Sequence, residues 1–159
     1  MNEVRIKALL KKRLEAEGFH EVVVRRQAER GADVDAKFPG YQLRLIGEVK
    51  GEPSKTIVRG ERAGQLKASS VVSNQYRHWL AEALWELVNR MNEPSGAVFA
   101  IFLPDSTAYR RLVSRIPPRP LQALGVQFVF VGDDRLVRFD PQTRQLGELR
   151  GLRDLKGGM

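Results

Sequence analysis

Apolar residues recur at helical spacing near the start of the chain. Ile6, Leu9, Leu10 and Leu14 share one face of a helix predicted from residue 3 to about 17, and Gly18 stops it. Lys11, Lys12 and Arg13 read as its solvated side. The period then changes: Glu21–Gln27, rich in branched residues, reads as a strand. The stretch Gly31–Lys50 reads as two strands joined at Pro39-Gly40, a strong turn signal. Residues 51–60 carry Gly51, Pro53 and Gly60 and read as loop. A helix is predicted over 61–70 and a longer one over about 73–91. The stripe of the longer helix is Trp79, Leu80, Ala83, Leu84, Leu87, Val88 and Met91, and Asn92–Gly96 ends it. Ala97–Leu103 is an unbroken apolar run, the pattern of a strand covered on both faces. A helix over 106–115, broken at Ile116–Pro118, a helical turn at 120–124 and a buried strand at Val126–Val131 follow. Leu136–Phe139, after the Gly132–Asp134 turn, reads as a final edge strand, and 151–159 as a frayed tail. The late strand–helix–strand unit is expected to be parallel, because its connection is helical. The pattern predicts an α/β domain over residues 1–150, a mixed sheet between helices, with a flexible tail over 151–159.

Composition narrows the chemistry. A chain of 159 residues with 42% hydrophobic positions has enough apolar material for one core. No apolar run reaches the roughly eighteen residues that a membrane span needs, and the first residues lack the apolar core of a signal peptide. A cytoplasmic protein that avoids membranes is therefore expected. Cysteine is absent, which excludes disulfides, thiol catalysis and thiolate zinc sites. His20 and His78 are the histidines, too few for a histidine-rich metal centre, and His20 reads as a surface residue at a strand entrance. The formal charge of +8, carried mostly by arginine, favours a polyanionic partner held through phosphates.

The segment Gly31–Lys50 carries the candidate chemistry. Residues i and i+2 of a strand face the same way, so Glu48 and Lys50 share a face, as do Asp33 and Asp35. Pairing about Pro39-Gly40 brings Asp33 near the level of Glu48, although a bulge would favour Asp35 instead. Two carboxylates and a lysine then converge at one end of a hairpin, a pattern suited to a divalent cation and to phosphodiester cleavage.

These residues and the element order resemble the PD-(D/E)xK nuclease superfamily, and the small resolvase-like members are nearest in size. The resemblance spans about residues 3–103. Glu48-Val49-Lys50 stands as the (D/E)xK element, and Gly31-Ala32-Asp33 stands where the family has Pro-Asp, with Ala32 the departure. It implies a restriction-endonuclease-like core, αβββαβ plus a C-terminal α/β extension. It further implies an endonuclease that hydrolyses DNA phosphodiester bonds with Mg²⁺ or Mn²⁺ in a repair, recombination or restriction-like role. Asp33, Glu48 and the Val49 carbonyl would hold the metal, and Lys50 would stabilise developing charge. The resemblance also suggests an acid from the first helix, Glu3, with Glu17 the weaker alternative, and a polar accessory residue, Gln65. DNA is the expected partner, RNA is not excluded, and a homodimer or a targeting protein is compatible with so small a chain. A non-catalytic nucleic-acid-binding module on the same fold is the alternative.

Arg59, Arg62 and Lys67 follow the hairpin and are candidate phosphate contacts. Gln75 and Tyr76 read as helix packing, Trp79 and Trp85 as core, and Arg110, Arg111 and Arg115 as an exposed solubilising face. Gly51–Thr56 lacks the glycine before lysine that a phosphate loop requires.

Overall fold

Alternation along the strands sorts the core into two layers. The computed structural model describes residues 1–92 and 96–158. Among the described residues, seven strands form one sheet in chain order: β1 (His20–Val24), β2 (Val34–Lys37), β3 (Arg44–Val49), β4 (Ala97–Pro104), β5 (Val126–Val131), β6 (Leu136–Phe139) and β7 (Leu146–Leu149). The β3–β4 and β4–β5 pairs are parallel and the others antiparallel. The parallel centre follows from its helical connections: α2 (Ser69–Arg90) joins β3 to β4, and α3 (Thr107–Arg115) with α4 (Pro118–Leu124) joins β4 to β5. One face packs on α1 (Glu3–Ala16), through Ile6, Leu10 and Leu14 against Val98, Ala100 and Phe102. The other packs on α2, α3 and α4, through Leu80, Leu87 and Tyr109 against Ile101, Leu103 and Phe128. Successive residues of β4 thus serve opposite layers, which accounts for its unbroken apolar run.

Several boundaries differ from the sequence expectation. The helix expected over 61–70 is absent. Gly60 and Gly64 both adopt positive φ, +88° and +86°, and turn the chain back on itself. Residues 55–57 then pair with 65–67 in an exposed arm, joined by the Thr56–Leu66 bridge and by Ile57 N–H donating to Gln65 O at 2.8 Å. The long helix therefore begins at Ser69. Of the positions read as ending it, 93–95 lie outside the described residues. β1 stops at Val24. β6 is not an edge strand, because β7 pairs with it. Trp85, read as core, is 65% exposed. No described helix is long and apolar enough to cross a membrane.

The segment read as a frayed tail carries a 3₁₀ helix, Leu152–Gly158, with Leu152 and Leu155 fully buried beneath the α1 layer. Glu17 fixes its start, since the Leu152 and Arg153 N–H groups each donate to the Glu17 carboxylate at 3.1 Å. Two isolated leucines make too short a pattern to declare a buried element locally. Leu155→Ala is expected to lower stability by about 2–4 kcal/mol in chemical denaturation, because it empties a filled core position. An unfolding curve that overlays the wild type would show that this segment adds nothing to the core.

Candidate active site

Sheet register decides which carboxylates meet. Val34 pairs with Gly47, so the next step along each chain sets Asp33 beside Glu48. Asp33 is held from both sides: the Val49 N–H donates to its Oδ2 at 2.9 Å, and Lys7 Nζ donates to its Oδ1 at 2.5 Å. Its approach is set by the preceding loop. Gly31 has φ +121°, and a side chain there would meet the Arg25 guanidinium at 2.6 Å. Arg25 in turn donates to Ala32 O at 2.7 Å, and the Arg25 N–H to Asp33 O at 2.8 Å. Asp35 belongs elsewhere, paired with Arg44 at 2.6 Å. Glu3 reaches the same place from α1, with Oε1 2.7 Å from Lys7 Nζ. Its helix can sit this close because Gly51 has no side chain, a Cβ at Gly51 falling 2.4 Å from the Glu3 nitrogen. Glu17 is at the opposite end of the helix, bound to the C-terminal segment.

Glu48 points to the α2 side of the sheet and is 5% exposed. Arg90 Nε lies 3.5 Å from its Oε1. That is an ion pair but not a hydrogen bond, and among the described residues both atoms are buried without a hydrogen-bond partner. Burial first, and then the negative charge of Asp33, raise the Glu48 pKa from 4.5 to about 7 against the opposing pull of Arg90 and Lys50. Lys50 shares the face of Glu48 and donates to Glu82 of α2 at 2.8 Å. For Lys7, burial works to lower the pKa, but the hydrogen bonds and charges of Asp33 and Glu3 outweigh it and the value rises, so Lys7 stays an ammonium ion. Lys7 and Glu48 are the buried charged side chains among the described residues, and both belong to this cluster.

Glu3, Asp33, Glu48 and Lys50 open onto one cleft of about 780 Å³. Arg26 and Arg30 of the loop after β1 form one wall, and Trp79, Glu82, Glu86 and Arg90 of α2 form the other. Gln65 is not brought here. It lies on the exposed arm and accepts from Arg62 at 3.0 Å. The reason is the same pair of positive-φ glycines that replaced the expected helix. Arg59 and Arg62 are exposed on that arm, and Lys67 at its base donates to Gln75 at 3.2 Å. Tyr76 packs edge-on against Tyr109, with ring centres 4.8 Å apart, as helix packing requires.

Sequence reasoning missed Lys7 and Arg90, although both carried a signal. Lys7 falls in line with Leu10 and Leu14 on the buried face of α1, and Arg90 continues the Leu80–Ala83–Leu87 stripe of α2. A charged residue on an apolar stripe must find a partner in the interior.

Whether the cluster suits a divalent cation rests on its donors. Among the described residues, no group of three or more acidic or histidine side chains is arranged to hold a metal. Two neighbouring carboxylates are present, however, one with an unpartnered buried oxygen and a pKa raised by burial and by the other's charge. Mg²⁺ is commonly held by one or two carboxylates plus waters and substrate phosphates, so this donor set fits it. The chain matches no protein-family model, and no curated protein or solved structure is significantly similar to it.

Because the folded protein protonates Glu48 more readily than the unfolded chain, its contribution favours folding below about pH 4.5 and is lost as pH rises through about 7. Glu48→Gln is therefore expected to be more stable than the wild type by about 3 kcal/mol near pH 8 in metal-free buffer, with the gap closing toward pH 4. Denaturation curves at several pH values measure it, and a gap independent of pH contradicts the burial of an ionised Glu48.

Proposed function

We propose that this protein is a metal-dependent nuclease that hydrolyses DNA phosphodiester bonds, on a fold akin to the restriction endonucleases. One observation carries the reading: Asp33 and Glu48 meet at a cleft, the charge of Asp33 adding to the cost of ionising the buried Glu48, with the Lys50 ammonium on the same face. A buried carboxylate whose Oε1 lacks a hydrogen-bond partner, beside a second carboxylate, is suited to a cation. Asp33 and Glu48 would hold Mg²⁺ or Mn²⁺ with the Val49 carbonyl, and Glu3 would support them from α1. The ion, once bound, supplies positive charge to a phosphate and to an attacking water. Lys50 would stabilise charge developing on the same phosphate. Arg26 and Arg30 line the wall opposite α2 and are suited to the flanking backbone. Arg59, Arg62 and Lys67 of the exposed arm would supply further phosphate contacts.

A non-catalytic nucleic-acid-binding module is the second reading, and a specific observation favours it. Lys7 already occupies Asp33, and Lys50 is tied to Glu82, as in a site that has no turnover to perform.

Plasmid nicking separates the two. The nuclease reading expects Mg²⁺- or Mn²⁺-dependent cutting that EDTA abolishes. It also expects Asp33→Asn and Lys50→Ala each to lose at least about 100-fold in rate while retaining DNA affinity. Salt-sensitive binding without cutting in either metal would leave the binding module. In both cases, replacing Arg59, Arg62 and Lys67 together with alanine is expected to reduce the slope of log affinity against log salt by about 2–3, close to one unit for each phosphate no longer neutralised. An unchanged slope would remove the arm from the interface.

A further inference from the structure

We propose that Lys7 is a resident cation of this site, an ammonium that holds Asp33 and Glu3 in the metal-free protein and must release Asp33 Oδ1 when a divalent cation binds. The inference rests on the nuclease reading for the identity of the site, and adds to it what controls its loading.

Lysine is almost never buried unless it is paired, and Lys7 is only 7% exposed. The contacts that satisfy it are both carboxylates of the cleft, Asp33 Oδ1 at 2.5 Å and Glu3 Oε1 at 2.7 Å. An i,i+4 pair such as Glu3–Lys7 on an exposed helix face would add a few tenths of a kcal/mol and touch nothing else. Here the same pair is turned inward, and the ammonium bridges helix and sheet. The other Asp33 oxygen is already taken by the Val49 N–H. A cation that ligates Oδ1 meets the Lys7 ammonium already hydrogen-bonded there.

Two consequences have opposite sign. Without the ammonium, Asp33, Glu3 and Glu48 face one another with less compensation, so the metal-free fold loses stability. Without it, a divalent cation also meets no like charge at close range and displaces no hydrogen bond, so metal affinity rises. A residue that merely supports the fold would lower both quantities when replaced.

Calorimetric titration of the whole chain with Mn²⁺ tests this in the wild type, Lys7→Met and Lys7→Arg, alongside thermal melts in metal-free buffer. Lys7→Met is expected to melt at lower temperature and to bind Mn²⁺ roughly tenfold more tightly. Lys7→Arg, which keeps the opposing charge, is expected to bind Mn²⁺ less tightly than Lys7→Met. Equal or weaker binding by Lys7→Met, with the wild type binding, overturns the role of Lys7 and leaves the metal site standing. No binding by any of the three proteins overturns the metal site and the role of Lys7 together. If Lys7→Met does not fold, the side-chain ammonium resonance of Lys7 in the wild type, identified by its loss in Lys7→Arg, gives the answer. Saturating Mg²⁺ is expected to shift it, and an unmoved resonance overturns the proposal.

Discussion

One carboxylate ties the layers of this protein together at their charged end. Asp33 accepts from the Val49 N–H of the sheet with one oxygen and from the Lys7 ammonium of α1 with the other. Elsewhere α1 meets the sheet through apolar packing, which is strong but indifferent to small shifts. The Asp33 bridge is directional. It fixes the height at which the helix crosses the strands, and therefore where Glu3 stands. Gly51 fixes the same height sterically, because its backbone touches the start of α1. The buried Tyr109 hydroxyl donates to the Gly51 carbonyl at 2.9 Å, so the α3 side is registered to this point as well.

Burying charge is costly unless it is compensated. Among the described residues the buried charged side chains gather at this one place, and their compensation is uneven. Lys7 is satisfied by two carboxylates. Glu48 faces Arg90 without a hydrogen bond and shares space with the charge of Asp33. Core positions serving stability alone would be apolar, and an incompletely satisfied acid here is what supports the chemistry proposed for the cleft. Perturbed acids of this kind concentrate at functional sites.

Much of the architecture was legible because the patterns were long or strongly marked. The α1 stripe, the Pro39-Gly40 turn and the apolar runs of β4 and β5 each declared an element. The meeting of Asp33 with Glu48 was legible from alternation and a single turn. The arm at 54–67 was not, because its helix-compatible residues are interrupted by glycines whose left-handed backbone appears only once the chain folds back. The exposure of Trp85 was equally hidden, since its neighbours along α2 include both buried and exposed apolar residues.

Local periodicity and turn chemistry were thus sufficient for α1, the first three strands, the long helix, the parallel pairing of β4 with β5, and the shared face of Glu48 and Lys50. They act between residues close in the chain, where spacing alone sets direction. The partners of those residues depend on contacts across the fold: Lys7 with Asp33, Arg90 with Glu48, Lys50 with Glu82, and Leu155 with the α1 layer. Lys7 and Asp33 stand 26 positions apart and Lys50 and Glu82 stand 32 apart, and no short-range pattern encodes such pairings. They follow from which surfaces the packed layers press together, and the electrostatic character of the cleft exists only at that level.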